Sequence, residues 1–294
     1  MSETRTLRLA VAQTHLRPDP GDGDELRESG RDVRAVLREA HQAGARIVHF
    51  PEGAMCSPHK RVMSADGPDR VGPAQWDRFD WDVHGRELAA TAALAGELGL
   101  WVVLGAVHRL TGPRRPHNSL YVISDRGRVT TRYDERLLSN TKITHMYTPG
   151  SVPVTFEVDG VRFGLALGME VHFPEVFLEY ERLDVDCVLF STAGPGAADV
   201  DDVFALEARA HAATNSFWVS CSGPATVDAP SGIASPDGRW AARCARDGER
   251  AIAVADLGRD RDDPARPWRR TARSGLYEPH LAHDDVRSGD RGAF

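Results

Sequence analysis

Three glutamates in this chain stand where a carboxylate could act on a bound molecule. Glu52 follows the apolar residues 47–50 in the sequence HFPEG, and Glu170 follows the apolar residues 163–167 in the sequence GLALGMEVHFPE. A carboxylate at the end of a buried strand is well placed to take part in a functional site. If these two and Glu135 share one pocket, mutual repulsion raises the pKa of one of them, which then stays protonated near neutral pH. The alternative for Glu52 is an ordinary solvated loop acid.

Thiol and metal chemistry find less support in the sequence. The four cysteines are scattered, without the spacing of metal ligands. Cys187 and Cys221 lie in apolar runs, which predicts reduced and buried side chains. Cys56 follows Glu52 by four residues, but no strand-to-helix turn presents it as a nucleophile. The histidines that could face a pocket, or simply anchor surface loops, are His59, His145 and His172. Their spacing predicts no metal site, and we expect no cofactor.

The composition limits the class of protein. Of 294 residues, 41% are hydrophobic and 27% are charged, as in an ordinary globular protein, and the formal net charge is -7. A mildly acidic chain without a basic stripe is a poor match for nucleic acid. The sequence has no apolar run of about 18 residues that could span a membrane, and its first residues lack the apolar segment of a signal peptide. We therefore expect a cytoplasmic protein that acts on a small molecule.

Helices and strands alternate at both ends of the chain, and two β-hairpins lie between them. Strands are predicted at residues 7–13, 47–50, 101–106, 119–124, 129–133, 154–158, 161–167, 187–191 and 217–221, with three more before residue 258. Helices are predicted at residues 24–44, 84–98, after Pro174 and at 200–214. This order predicts mixed sheets packed face to face with helices outside, a four-layer α-β-β-α sandwich of the α/β (α+β) class.

The sequence shows neither an internal repeat nor a linker, so residues 1–294 are expected to form a single domain. Residues 258–294 are rich in Arg, Asp and Pro. They predict an exposed C-terminal tail that is disordered or docked on a partner subunit.

A series of motifs in one order makes the chain similar to the nitrilase (carbon–nitrogen hydrolase) superfamily along nearly its whole length. The motifs are LRLAVAQ near the start, HFPEG at 49–53, HNSLYVIS at 117–124, RYDERLL at 132–138, YTPG at 147–150, FGLALGMEVHFPE at 163–175, DCVLFST at 186–192 and ASPDGR at 234–239. The resemblance implies the same four-layer sandwich and a homodimer or higher homo-oligomer. It also implies a triad of a glutamate base, a cysteine nucleophile and a lysine that stabilises the oxyanion.

The resemblance assigns the base to Glu52 but finds no lysine at the lysine position. That lysine normally stands two residues after a tyrosine, which here is Tyr133, and the position holds Glu135. Lys142, seven residues later, stands near the family's second glutamate, so lysine and glutamate have exchanged places. Such a pair could hold the two loops together, but we expect it to leave the oxyanion position without a cation. The alternative for Lys142 is an ordinary surface lysine.

The resemblance also places Gly168 where the nucleophilic cysteine belongs, after an apolar strand and two residues before Glu170. No cysteine lies between residues 56 and 187, so no shift of the alignment supplies one. We take Gly168, Lys142 and Tyr133 as residues that line the substrate site. Met169 and His172, next to the missing nucleophile, belong to the same predicted set.

Two classes of function remain open from the sequence. One is an enzyme that acts on a small amide, amidine or nitrile by non-covalent chemistry, with Glu52, Glu135 and Glu170 as catalytic carboxylates. The other is a catalytically inactive homologue that binds a small nitrogenous ligand or a partner protein. A laboratory change of cysteine to glycine would leave Glu135 unexplained. On the first hypothesis Gly168→Cys alone makes no efficient amidase, whereas the further changes Glu135→Lys and Lys142→Glu do.

Overall fold

Two six-stranded mixed sheets form the centre of the molecule. In chain order the strands are β1 (Leu7–Gln13), β2 (Ile47–His49), β3 (Trp101–His108), β4 (His117–Ile123), β5 (Val129–Asp134), β6 (Thr155–Val158), β7 (Val161–Leu167), β8 (Cys187–Ser191), β9 (Trp218–Ser222), β10 (Gly232–Ala234), β11 (Trp240–Arg243) and β12 (Ala251–Leu257). The strand order is β12-β1-β2-β3-β4-β5 in the first sheet and β11-β10-β9-β8-β7-β6 in the second. Three neighbouring strands run parallel in each sheet, β1-β2-β3 and β7-β8-β9. This computed structural model describes residues 6–194, 203–226, 229, 231–258 and 265–289.

Four helices cover the outer faces of the two sheets: α1 (Gly23–Gln42), α2 (Trp81–Leu98), α3 (Pro174–Arg182) and α4 (Val203–Asn215). Successive side chains of a strand point to opposite faces, so Leu9 and Val11 of β1 pack between the sheets, whereas Ala10 and Ala12 pack against the helix side. A third apolar core lies between the second sheet and α3 and α4. The predicted α-β-β-α sandwich is confirmed.

Short-range sequence signals set the ends of these elements. α2 begins three residues before its predicted start because the Asp80 carboxylate accepts from the backbone N–H of Val83 at 2.9 Å. The hairpin between β6 and β7 turns at Asp159 and Gly160, whose φ values of 48° and 82° fit a two-residue turn with both residues left-handed. Of the predicted helix at 200–214, residues 200–202 lie outside the described residues.

Residues 265–289 form a separate unit with short helical segments, α5 (Ala265–Thr271) and α6 (Val286–Gly289) among them. Large side chains of this unit, such as Trp268 and Val286, are exposed. Short helical segments thus make up much of residues 265–289, the part of the predicted tail that the structure describes after residue 258. Its docking on a partner subunit and the single-domain assignment stay predictions. Over the described ranges, no helix combines the length and the apolar character needed to cross a bilayer.

Candidate active site

Glu52 lies in a tight turn directly after β2. The backbone turns through Pro51 and Gly53, and the φ of +67° at Gly53 is a left-handed conformation that glycine adopts without strain. Gly105 on the neighbouring strand β3 makes room for the turn, because a Cβ there would collide with the backbone oxygen of Pro51. The side chain of Glu52 is thereby held inward, and the residue is only 6% exposed.

Three donors hold the Glu52 carboxylate. Oε1 accepts from Asn118 Nδ2 at 2.9 Å and from Lys142 Nζ at 2.5 Å, and Oε2 accepts from the backbone N–H of Ala193 at 3.0 Å. Sequence reasoning missed two of these partners. Ala193 acts through its backbone, which carries no residue-type signal, and Asn118 shows only as a polar residue within the apolar strand β4.

Glu135 and Lys142 complete the cluster. Glu135 directly follows β5 and is 1% exposed, and Lys142 begins a short π-helical segment, Lys142–Met146. Lys142 Nζ donates to Glu135 Oε2 at 2.7 Å and to Oε1 at 3.0 Å, and Asn118 Nδ2 also donates to Glu135 Oε2 at 2.5 Å. One ammonium and one amide therefore link the carboxylates of Glu52 and Glu135.

The charges of this cluster do not balance when all three groups are ionised. Burial of Glu135 raises the pKa of its carboxyl to about 8, and the charge of Glu52 adds to the shift while Lys142 opposes it. Burial alone would lower the pKa of Lys142, but the carboxylates of Glu135 and Glu52 raise it. At pH 7 the ammonium therefore persists, and the raised pKa of Glu135 favours the protonated form of its carboxyl group.

Gly168 lies at the end of β7, directly beneath these head groups. A Cβ on Gly168 would lie 2.7 Å from Glu135 Oε1, 2.8 Å from Lys142 Nζ and 3.2 Å from Glu52 Oε2. Glu52, Glu135 and Gly168 thus lie together, as the motif order predicts. The expectation that no cation stands here is wrong, because the long side chain of Lys142 brings its ammonium to this position.

Glu170 belongs to a different hydrogen-bond network. Its carboxylate accepts from the Tyr133 hydroxyl at 2.7 Å and from the backbone N–H groups of Leu167 and Arg136 at 2.8 Å and 2.7 Å. Burial raises the pKa of Glu170, whereas these donors lower it. The expectation that three carboxylates crowd one pocket is wrong for Glu170, which instead ties the end of β7 to the loop that carries Glu135.

A cavity of about 600 Å³ opens above the cluster, within the size range of small-molecule sites. Glu52 and Lys142 form part of its wall, together with Tyr147, the backbone around Ala193 and the loop that carries His59. The two head groups that could act on a substrate therefore face one space. Tyr147 was not singled out from the sequence, where it appeared only as part of the YTPG motif.

Three other predicted pocket residues contact different parts of the molecule. His172 Nδ1 lies 2.9 Å from Glu207 Oε1, Met169 packs on the core beneath α3 and α4, and Tyr133 is fully buried between the sheets. None of them is among the described residues that line the cavity. Their assignment to substrate binding stays a prediction.

The four cysteines belong to apolar core clusters. All four are buried and none forms a disulfide, and burial raises the pKa of the Cys56 thiol well above its ordinary value. Cys56 and His145 are not among the described residues of the cavity wall. Within the described ranges, no group of three His, Cys, Asp or Glu residues is arranged to hold a metal ion.

A buried histidine joins the two sheets behind Glu52. His49 Nε2 lies 2.8 Å from Ser191 Oγ, and His49 Nδ1 lies 2.9 Å from Ser220 Oγ. Because Ser191 Oγ donates to the backbone oxygen of Phe50 at 2.9 Å, it accepts from His49, whose Nδ1 then accepts from Ser220. Burial lowers the pKa of His49 to about 3, so the ring is neutral at pH 7. This network fixes the end of β2, from which Glu52 turns.

Comparison with known proteins begins with the sequence. The profile of a family described as carbon-nitrogen hydrolase matches residues 24–267. A protein of Mycobacterium tuberculosis (strain ATCC 25618 / H37Rv) named Hydrolase Rv0480c is 29% identical over 240 residues, which are 77% of this chain and 76% of that protein.

Solved structures share the fold. An alanine variant of the Nesterenkonia AN1 amidase, from the nitrilase superfamily, superposes with a TM-score of 0.69 at 19% identity, over 95% of this chain and 99% of that chain. Another structure of the amidase from Nesterenkonia sp. AN1 shows acrylamide added at its active-site cysteine. It superposes with a TM-score of 0.67 at 19% identity, over 90% of this chain and 99% of that one. At these identities the likeness shows the fold alone.

Proposed function

The chain belongs to the carbon–nitrogen hydrolase family, and from that premise we propose that it hydrolyses the C–N bond of a small amide by direct attack of water. The observation that carries the proposal is the meeting of Glu52 and Lys142 at the wall of one cavity, above Gly168. One of these side chains is a base and the other is a fixed positive charge. The Nesterenkonia relative of this fold is itself an amidase, which supports an amide as the substrate class.

In the proposed reaction a water molecule attacks the amide carbon. Glu52 takes a proton from the water as the new C–O bond forms, and the amide oxygen becomes an oxyanion beside the ammonium of Lys142. When the tetrahedral intermediate collapses, the C–N bond breaks and the leaving nitrogen takes the proton from Glu52. The products are a carboxylic acid and ammonia or an amine, and Glu52 returns to its carboxylate form.

Water is the nucleophile in this scheme because the cluster offers no thiol. Gly168 has no side chain, and all four cysteines are buried. Glu135 and Glu170, which the sequence suggested as catalytic, become positioning residues. Glu135 holds the ammonium of Lys142, and Glu170 holds the backbone on either side of the cluster.

Kinetics on a panel of simple amides, with propionamide as the first member, test the proposal. Glu52→Gln removes the base but keeps the shape of the side chain, and we expect kcat/KM to fall about 1,000-fold. Glu157→Gln, the same change at an exposed position on β6, should leave the rate within about twofold of the wild type. Mass spectrometry of the acid-quenched protein during turnover should show the unmodified chain. A covalent acyl adduct would contradict direct attack of water.

A second candidate function is ligand binding without turnover. The bonds of Lys142 to both carboxylates favour it, because the base and the cation neutralise each other until a ligand displaces one of these contacts. Calorimetric titration with propionamide that shows binding but no released ammonia would select this function. The cytoplasmic location and the homo-oligomeric state inferred from the sequence also stay predictions.

A further inference from the structure

Tyr147 lines the same cavity as Glu52 and Lys142. Its backbone N–H donates to the Lys142 carbonyl at 2.8 Å, which fixes it next to the cluster. Its ring packs against Trp76, with 5.4 Å between the ring centroids, and the residue is 5% exposed. A side chain held in this way has few other positions to adopt.

The hydroxyl of Tyr147 makes no hydrogen bond to the described residues, and it is not among their fully enclosed polar atoms that lack a partner, so it keeps some accessible surface. Buried tyrosines normally bond their hydroxyl to a protein group or to water, because an unpaired polar atom in the interior is costly. An oriented and unpartnered hydroxyl at a cavity wall is therefore available to a bound molecule.

The nearby carboxylate does not use this hydroxyl. Glu52 already accepts three hydrogen bonds, from Asn118, Lys142 and the backbone of Ala193. Burial raises the pKa of Tyr147 well above its ordinary value, so the phenol keeps its proton and serves as a donor. The strongest acceptor that a simple amide offers is its carbonyl oxygen.

We propose that Tyr147 is a further catalytic residue, whose hydroxyl donates a hydrogen bond to the oxygen of the scissile amide beside the ammonium of Lys142. This bond strengthens as the oxygen gains negative charge in the transition state. The inference rests on the proposed function for its effect on turnover, and on the cavity alone for its effect on binding.

Tyr147→Phe removes only the hydroxyl and keeps the ring on Trp76. We expect kcat for propionamide to fall about 100-fold, the typical loss of one oxyanion donor, while KM rises only about fivefold, as expected for one hydrogen bond lost in the ground state. Tyr121→Phe is the matched control, because the Tyr121 hydroxyl bonds to His108 Nδ1 at 2.6 Å and Tyr121 is not among the described residues of the cavity wall. The control should keep the wild-type kcat.

Calorimetric titration of propionamide into the wild-type and Tyr147→Phe proteins separates this inference from the proposed function. An affinity about fivefold weaker in the variant is expected for one lost hydrogen bond. If the wild type shows no turnover but the affinity drops in this way, the proposed function fails and Tyr147 stands as a binding group. If the wild type hydrolyses propionamide and the variant matches it within twofold in kcat, the catalytic role of Tyr147 is overturned and the proposed function stands. Without turnover, equal affinities, or no binding to either protein, would also overturn the role of Tyr147.

Discussion

Two buried glutamates flank Gly168, and their surroundings differ in kind. Glu52 shares one ammonium with a second carboxylate and forms part of a cavity wall. Glu170 accepts only from neutral donors, the Tyr133 hydroxyl and backbone N–H groups, and is fully buried. Glu52 belongs to the motif HFPEG and Glu170 to the motif FGLALGMEVHFPE, and both motifs contain FPE. Only Glu52 has a charged partner and also lies at a cavity wall.

This difference shows how a carboxylate acquires a structural or a chemical task. A carboxylate saturated by backbone donors fixes the chain around it, as Glu170 does for the ends of β7 and β5. A carboxylate that bonds to a cation at a cavity wall can exchange this contact for a substrate, as proposed for Glu52.

The largest effect is expected from Lys142→Met. The change removes the proposed oxyanion cation and leaves the buried Glu52 carboxylate without its counter-charge, because Glu135 is protonated at pH 7. We expect propionamide hydrolysis to fall at least about 1,000-fold, and the free energy of unfolding, from urea titration, to fall by about 3 kcal/mol.

The double variant Lys142→Met/Glu52→Gln separates these two effects. Replacing the Glu52 carboxylate together with the cation should restore most of the stability, because no buried charge is then left unpaired. Activity should stay lost. Recovery of activity in the double variant would show that Lys142 is not the oxyanion cation.

The next effect concerns Gly168, which lies next to the head groups of the cluster. Gly168→Cys should cost about 2 kcal/mol, since Gly168 has a left-handed φ of +56° and an added Cβ crowds three head groups. The introduced thiol would lie beside the ammonium of Lys142, which lowers a thiol pKa. We expect iodoacetamide to label this thiol, located by peptide mass spectrometry, while the four native buried cysteines of the folded protein stay unmodified.

From the sequence, Gly168→Cys is expected to need Glu135→Lys for efficient amide hydrolysis, whereas the structure predicts that Glu135→Lys is harmful. Because Lys142 already supplies the cation, adding Glu135→Lys to Gly168→Cys brings two ammonium groups together and should lower both stability and amide hydrolysis. A panel of simple amides compares the single and double variants. Higher activity in the double variant would restore the sequence-based assignment of the cation to position 135.

Much of the fold was predictable because its signals are local. The short apolar run LRLAVAQ predicts β1 with its observed bounds, Leu7–Gln13, and the pair Asp159-Gly160 predicts a turn that needs two left-handed residues. The start of α2 was missed because its cap, Asp80, lies one turn before the apolar periodicity begins. A helix cap depends on a single side chain, which does not change the apolar periodicity from which the helix is predicted.

The site was predictable only in part. The order of motifs placed Glu52 and Gly168 together, since both stand at ends of parallel strands in facing sheets. The approach of Lys142 was not predictable, because it depends on the short π-helical segment that follows β5 and on the reach of a flexible side chain. The separate network of Glu170 depends on backbone N–H groups, which the sequence does not specify.

A smaller effect is expected at the second glutamate site. Glu170→Gln keeps the shape but replaces one acceptor oxygen with an NH2 donor, which faces the Tyr133 O–H or backbone N–H groups, and should lower the free energy of unfolding by about 2 kcal/mol. Tyr133→Phe removes one donor of the same network and should cost about 1 kcal/mol. Activity per folded molecule, measured with propionamide at low temperature, should stay within about tenfold for both. If Glu170→Gln lowered activity as much as Lys142→Met does, without unfolding the protein, Glu170 would take part in the reaction itself.

The last effect is a change in how the free energy of unfolding depends on pH. The pKa of Glu135 is about 8 in the folded protein against an ordinary value of 4.5. Between these values the folded protein holds a proton that the unfolded chain has released. The contribution of Glu135 is therefore fully present below the unfolded pKa and is lost as the pH rises towards the folded pKa, by at most about 1.4 kcal/mol per pH unit. His49, with a pKa lowered to about 3, has the opposite slope in acid, but it is common to wild type and variant and cancels in their difference.

Glu135→Gln removes only the titration and keeps an uncharged side chain of the same shape, which is the state that the folded protein is expected to hold at pH 7. Urea unfolding of both proteins between about pH 5 and about pH 9 gives the difference in their free energies of unfolding. That difference, wild type minus variant, should decline steadily to about pH 8 and then level off. A difference that is flat or rises with pH would mean that Glu135 is ionised in its bond with Lys142. The cluster would then carry a net negative charge, and the ammonium would be less free to turn from Glu135 to an oxyanion.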